Sequence, residues 1–129
     1  MNKLVSIIIR TKNEERWISS CLRSVFRQSY KNIEVIIVDN KSTDHTVERS
    51  KSFPVKIISI DEFFPGKAIN DGIRASSGEY IVCLSAHCIP TNTDWLISLV
   101  NALEEDKNYA AVYGRQEPMS FSTISDKRD

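Results

Sequence analysis

The 129-residue chain lacks several features that would place it in a class at once. It has no excess of either charge: 17 basic and 17 acidic residues balance, so no global field draws in nucleic acid or an anionic surface. A local anion site remains compatible with that balance. Its three cysteines are few and odd in number, which argues against a disulfide framework and for a reducing compartment. No long hydrophobic run is present. The apolar stretch 4–9 is too short for a signal-peptide core or a membrane span, and Arg10 and Lys12 follow it directly. The cytoplasm is therefore the expected location, with peripheral attachment to the inner face of a membrane left open. Internal repeats and low-complexity tracts are also missing. The length suits one domain whose core needs no disulfide or metal staple.

Missing motifs narrow the chemistry further. No G-x-G-x-x-G follows the first apolar run, so the classical dinucleotide fingerprint is absent. No G-x-x-x-x-G-K-[ST] marks a P-loop nucleotidase, and no G-x-S-x-G elbow marks an α/β-hydrolase. A phosphate-bearing ligand would need a bound cation or basic side chains such as Lys67 in place of a glycine cradle.

What the chain does contain is a regular alternation. LVSIII (4–9), IEVIIV (33–38), VKIISI (55–60), EYIVCL (79–84) and AAVYG (110–114) read as five strands. Their continuous apolar runs suit strands covered on both faces. Between them, Trp17, Ile18, Cys21, Leu22, Val25 and Phe26 fall on one helical face. A short helix is expected near 44–50. Another is expected over 67–75, with Ala68, Ile69 and Ile73 inward, Gly72 weakening it and Gly78 beyond its end. Thr93 is a candidate N-cap for a helix burying Trp95, Leu96, Leu99, Val100 and Leu103. Such alternation implies an α/β fold: a doubly wound, mostly parallel sheet with helices on both faces. Residues 1–118 form the expected domain. The tail 119–129 has no periodicity and reads as the start of a truncated further half.

In open α/β sheets ligands bind outside the carboxyl ends of the strands. There the chain places RTKNEE (10–15), DNKSTD (39–44), DEFFPGK (61–67), SAHC (85–88) and GRQEP (114–118). Five loops on one edge, each with a carboxylate, amide, base or imidazole, predict a ligand site. Within SAHC, His87 is either a hydrogen-bonded loop residue or a ligand. Cys83, His87 and Cys88 lack the four ligands and spacing of structural zinc, and Cys83 is expected as a small core residue. A phosphorelay receiver needs paired acids after strand 1, where this chain has Arg10-Thr11-Lys12.

With these loops laid out, the chain resembles the family 2 glycosyltransferases of the GT-A fold. The resemblance runs through VSIIIRTKNEERWISSCLRSVFRQSYKNIEVIIVDNKSTDHT (5–46) and GKAINDGIRASSGEYIVCLSAHCIPTNTDWL (66–96). It includes a "Q-x-Y-x-N-x-E" connection from Gln28 to Glu34 and a "D-D/N-x-S-x-D" loop from Asp39 to Asp44. Each short motif is weak alone, and their order and spacing carry the match. It implies a nucleotide-diphosphate-sugar donor such as a UDP-sugar. Thr11, Asn13 and Glu14 would lie near the nucleoside, and Asp39 would bond the base. Lys67 would approach the diphosphate, and Asp44 would serve the donor or cap a helix. The family's usual Asp-x-Asp is replaced here by Ser85-Ala86-His87. That leaves Ser85, Ala86 and His87 as donor contacts and His87 as ligand to a divalent cation, Mn2+ or Mg2+. The implied reaction transfers a sugar to the hydroxyl of a saccharide or lipid-linked acceptor, in polysaccharide or glycoconjugate synthesis. The family's general base lies in an acceptor half beyond the matched region, and Glu117 is an unsupported candidate. The competing reading is a non-catalytic nucleotide-binding or assembly module.

Overall fold

The computed structural model describes residues 3–61 and 65–105, so the strand expected at 110–114, the GRQEP loop and the tail lie outside the described residues. The elements run β1 (Val5–Thr11), α1 (Ile18–Phe26), β2 (Ile33–Asp39), α2 (Thr46–Ser50), β3 (Lys56–Ser59), α3 (Pro65–Ala75), β4 (Tyr80–Ser85) and α4 (Trp95–Glu105). The four strands pair in parallel, in the order β3-β2-β1-β4. This is the doubly wound sheet expected from the alternation. The chain moves outward from β1 to β2 and β3, then returns to place β4 on the other side of β1. The order therefore reverses between β1 and β4.

Successive side chains of a strand point to opposite faces, and the two faces carry separate cores. Val5, Ile7 and Ile9 join Val35, Ile37 and Leu84 beneath α1 and α4, which supply Ile18, Cys21, Leu22, Val25, Leu96 and Val100. On the opposite face, Ile8, Ile36 and Val38 pack with Ile60 and Ala68. The first core carries the periodicity read from the sequence at Ile18, Cys21, Leu22, Val25, Leu96 and Val100, while Leu99 and Leu103 are only partly buried. The second departs from it. Ile73 is not inward but 42% exposed, and Gly72 is buried in its place. A Cβ on Gly72 would come within 2.6 Å of Ile8 Cγ2 and 3.2 Å of Val38 Cγ2, so α3 lies against the sheet through its glycine. The residue that weakens the helix locally is the one that lets it approach.

Two further expectations are corrected. Cys83 is exposed rather than part of the core. It lies on β4, the edge of the sheet among the described residues, in register with Ile8 of β1, while α3 packs against β1 and β2. Thr93 is not what satisfies the start of α4. Asn92 Oδ1 accepts the Asp94 N–H at 2.8 Å, and buried Gln28 Oε1 accepts the Leu96 N–H at 3.0 Å. Gln28 Nε2 also donates to the Ser24 and Asn92 carbonyls at 3.1 and 2.7 Å. One amide thus ties the end of α1 to the segment entering α4.

The rest of that connection is equally structural. The Tyr30 hydroxyl donates to the Lys3 carbonyl. Glu34 sits opposite Ser6 in the β1–β2 register and accepts from the Ser6 hydroxyl and the Ser77 N–H. The Gly78 N–H donates to Ser6 Oγ at 2.8 Å, and a Cβ at Gly78 would lie 2.7 Å from the Ser6 backbone nitrogen. These bonds close the amino-terminal edge of the sheet and leave its carboxyl edge for the loops.

Candidate functional site

The site is built where the strand order reverses. β1 ends at Thr11 and β4 at Ser85, with Arg10 and Ser85 paired in register. Outside their carboxyl ends lies a cavity of about 130 Å³ lined by Arg10, Thr11, Lys12, Glu14, Ser85 and His87. A topological switch point is the expected ligand position in an open α/β sheet.

The loops after β1 and β2 are fastened to each other by short polar side chains. Asp39 is only 2% exposed. Its Oδ1 accepts from Thr11 Oγ1 and Ser42 Oγ, both at 2.6 Å, and its Oδ2 accepts the Ser42 N–H at 2.9 Å. Asn13 adopts a left-handed backbone, φ 53°, which asparagine tolerates better than most residues. Its Oδ1 accepts the Thr43 N–H at 2.7 Å, and its own N–H donates to Ser42 Oγ at 2.8 Å. The Glu14 N–H donates to Thr46 Oγ1 at 2.7 Å, and the Glu15 N–H donates to Asp44 Oδ2 at 3.2 Å. Asp44 Oδ1 also accepts the N–H of Thr46, the first residue of α2, at 2.9 Å, so Asp44 does act as a cap. Glu15 Oε2 lies 2.8 Å from His45 Nδ1, and that hydrogen bond holds the Glu15 carboxyl below the usual carboxylate range.

With these loops fixed, the Glu14 side chain is left facing the β4 loop. Its Oε1 lies 3.8 Å from His87 Nδ1, beyond hydrogen-bond range. Burial pushes the Glu14 carboxyl above its ordinary pKa, His87 pulls it back, and Asp44 adds to the rise. Arg10 Nη2 reaches Ser85 Oγ at 3.4 Å. Ala86, between Ser85 and His87, is 1% exposed and belongs to the core beneath α1 and α4. Burying Ala86 anchors the loop that presents its two neighbours. Cys21 on α1 fastens the same loop, its Sγ lying 3.5 Å from the Cys88 carbonyl. Burial raises the Cys21 thiol to about 12, so it is protonated and inert at neutral pH.

The expected site residues thus fall into three groups. Thr11, Glu14, Ser85 and His87 line one cavity. Asn13 and Asp39 hold its walls, with Asp39 spending three acceptor positions on internal donors. Lys67 stands elsewhere. It lines a separate cavity of about 330 Å³ with Ser59, Ile60, Asp61 and Asp71, and its Nζ is 3.0 Å from Asp71 Oδ2. Arg10 and Lys12 were not read as site residues from the sequence, although they bracket Thr11 at a strand end, and both line the cavity.

The sequence profile described as "Glycosyl transferase family 2" matches residues 6–125. A curated archaeal relative from Methanococcus voltae, named as a dolichyl N-acetyl-alpha-D-glucosaminyl phosphate 3-beta-D-2,3-diacetamido-2,3-dideoxy-beta-D-glucuronosyltransferase, is 36% identical over 95 residues. That alignment covers 67% of this chain and 30% of the relative. Among solved structures, the fold is similar to the mannosyltransferase PcManGT from Pyrobaculum calidifontis in complex with GDP-Man and Mn2+. The TM-score is 0.72 at 28% identity, covering 77% of this chain and 32% of that one. It is also similar to residues 1–349 of S. aureus TarS in complex with UDP-GlcNAc, with a TM-score of 0.70 at 25% identity, covering 78% and 31%. The chain spans about a third of the length of the curated relatives it matches.

Proposed function

The chain belongs to glycosyl transferase family 2, and from that premise we propose that its switch-point cavity receives the diphosphate of a nucleotide-diphosphate-sugar. The protein would transfer the sugar to an acceptor hydroxyl. The observation that carries this reading is one of placement. Residues from two loops distant in sequence, 10–14 and 85–87, meet at the point where an α/β sheet binds ligands.

Each group has a task on this reading. The Arg10 and Lys12 cations face the diphosphate and stabilise the charge that grows on the departing nucleoside diphosphate. Thr11, Asn13 and Asp39 form the nucleoside side. Asp39 retains an acceptor position for an imide N–H or a ribose hydroxyl, since a carboxylate offers about four and three are used within the protein. Ala86 contributes through its backbone because its side chain is buried. Lys67 lines a separate cavity and would reach the diphosphate only after leaving Asp71.

A divalent cation fits the donor set at the cavity. An imidazole and a carboxylate face each other there, and nitrogen-plus-oxygen donors suit Mn2+ better than Mg2+. His87 is the proposed ligand from the β4 loop. When bound, the cation supplies Lewis-acid stabilisation of the leaving diphosphate. The acceptor is a saccharide or lipid-linked hydroxyl in polysaccharide or glycoconjugate synthesis. We place the protein in the cytoplasm, at or near the inner face of the membrane. Among the described residues no helix is long and apolar enough to cross a membrane.

One observation favours a second reading. Ser85 stands where the family's first acid stands and faces Arg10 instead. A module that binds nucleotide without transferring sugar would tolerate that exchange. The test of the first reading is calorimetry with UDP and GDP in Mn2+ and in EDTA. His87→Ala is expected to lower nucleotide affinity about tenfold in Mn2+, the equivalent of about 1.4 kcal/mol, and to leave the EDTA value unchanged. Equal affinities in Mn2+ would remove His87 from the cation.

A further inference from the structure

The β4 loop carries one metal-binding side chain where the family carries two acids, so the question is what supplies the second. Ser85 does not: its hydroxyl is uncharged and lies 3.4 Å from the Arg10 guanidinium. Cys88 does not, because it packs with the core beneath α1 and α4. Asp39 already accepts from Thr11 and Ser42, and Asp44 from Glu15 and Thr46, so both are committed to tying the loops after β1 and β2 together. Glu14 is different. Its backbone N–H is held by Thr46, while its Oε1 faces His87 Nδ1 across the cavity at 3.8 Å.

We propose that Glu14 and His87 together form the cation site of this protein, one ligand from the loop after β1 and one from the loop after β4. The proposal rests on the nucleotide-sugar reading above and moves Glu14 from the nucleoside to the cation. Two cis ligands on an octahedral ion at about 2.1 Å stand about 3 Å apart. The Glu14 and His87 atoms stand 3.8 Å apart, so the pair would close by less than about 1 Å to reach that spacing. Glu14 is half-buried, and its carboxylate and the imidazole are too far apart to bond each other directly. Among the described residues no third His, Cys, Asp or Glu joins them. A cation here would complete its shell with water and diphosphate oxygens, as ions that bridge protein and nucleotide do. Arg10 and Lys12, on the same cavity, repel a bare cation and attract a diphosphate, which makes cation and nucleotide bind together.

The arrangement has a consequence for choice of metal. An Asp-x-Asp loop offers oxygens only, whereas a Glu–His pair offers one nitrogen and favours Mn2+ over Mg2+.

The test is a Mn2+ titration of the 129-residue chain followed by electron paramagnetic resonance, alone and with saturating UDP or GDP. The variants are Glu14→Gln, His87→Ala, their combination and His87→Asp, with circular dichroism to check folding. Each single removal is expected to weaken Mn2+ about tenfold or more in the presence of nucleotide. The double variant should be no weaker than the worse single by more than about twofold. His87→Asp should retain Mn2+ and narrow its preference over Mg2+. Glu14→Gln that binds Mn2+ within twofold of the parent overturns the pair, as does a parent chain that binds no Mn2+ in any condition. If neither nucleotide binds in EDTA or in Mn2+, the donor reading fails instead. The cation pair is then judged on the titration of Mn2+ alone, by whether Glu14→Gln and His87→Ala weaken it equally.

Discussion

Asp39 holds the loops of the candidate site together, and the proposed function gives it a ligand contact as well. It pairs with Thr11 across the β1–β2 register and reaches forward to Ser42, so it joins two strand ends and shapes the loop between β2 and α2. Lys41 in that loop adopts φ 49°, a left-handed conformation uncommon for lysine, and the Asp39–Ser42 bonds close the turn around it. Asp39→Asn keeps the size and removes the charge. It is expected to cost about 1–3 kcal/mol of stability, because bonds to a charged group weaken together. It should also weaken UDP binding about tenfold in EDTA as well as in Mn2+. Urea unfolding and calorimetry measure the two effects on the same variant. Lost stability with unchanged nucleotide affinity would make Asp39 a scaffold residue only.

The strands were legible in the sequence for a simple reason. Runs such as 4–9 and 33–38 are apolar on both faces, a pattern that a half-exposed strand does not show. Helix α1 was legible because Ile18, Cys21, Leu22 and Val25 repeat at helical spacing and are buried. Orientation was harder to read. Ile73 looks inward by spacing, yet α3 approaches the sheet at Gly72, and only the approach distance reveals that. Cys83 looks like core by its neighbours, yet its strand lies at the edge of the described sheet, and strand order is not written in a local window. The site was legible as an edge of polar loops. Which loops meet was not: His87 joins Glu14, while Lys67 joins Asp71. Gln28, Tyr30 and Glu34 matched a family motif, and the structure gives them backbone-holding roles. Glu34 makes this testable. Burial pushes its carboxyl up, but the Ser6 hydroxyl and the Ser77 and Gly78 N–H groups outweigh that and hold its pKa below the usual value. A lowered folded-state pKa means stability that is complete above the unfolded value of about 4.3 and lost as pH falls through the folded value. Glu34→Gln should therefore lower stability at pH 7 and flatten the acid limb of the stability curve. Urea midpoints between pH 3 and 7 measure this, and parallel curves for parent and variant would contradict it.

At the scale of the whole molecule, the two ends of the sheet do different work. The amino-terminal edge is closed by Glu34, Ser6 and Gly78, and the carboxyl edge holds two cavities and the loops that line them. Among the described residues, a four-stranded sheet with apolar cores on both faces carries loops that are tied to each other by side chains. The family match extends to residue 125, while this chain spans about a third of its curated relatives. Donor binding is the proposed step that a measurement on these residues tests. The most direct measurement is thermal unfolding of the chain with UDP or GDP, in Mn2+, Mg2+ and EDTA. A ligand at about 100 times its dissociation constant adds about 2.7 kcal/mol, which is several degrees for a domain of this size. The account predicts a shift with nucleotide in EDTA that grows in Mn2+ more than in Mg2+. No shift with either nucleotide in any of the three conditions would contradict it.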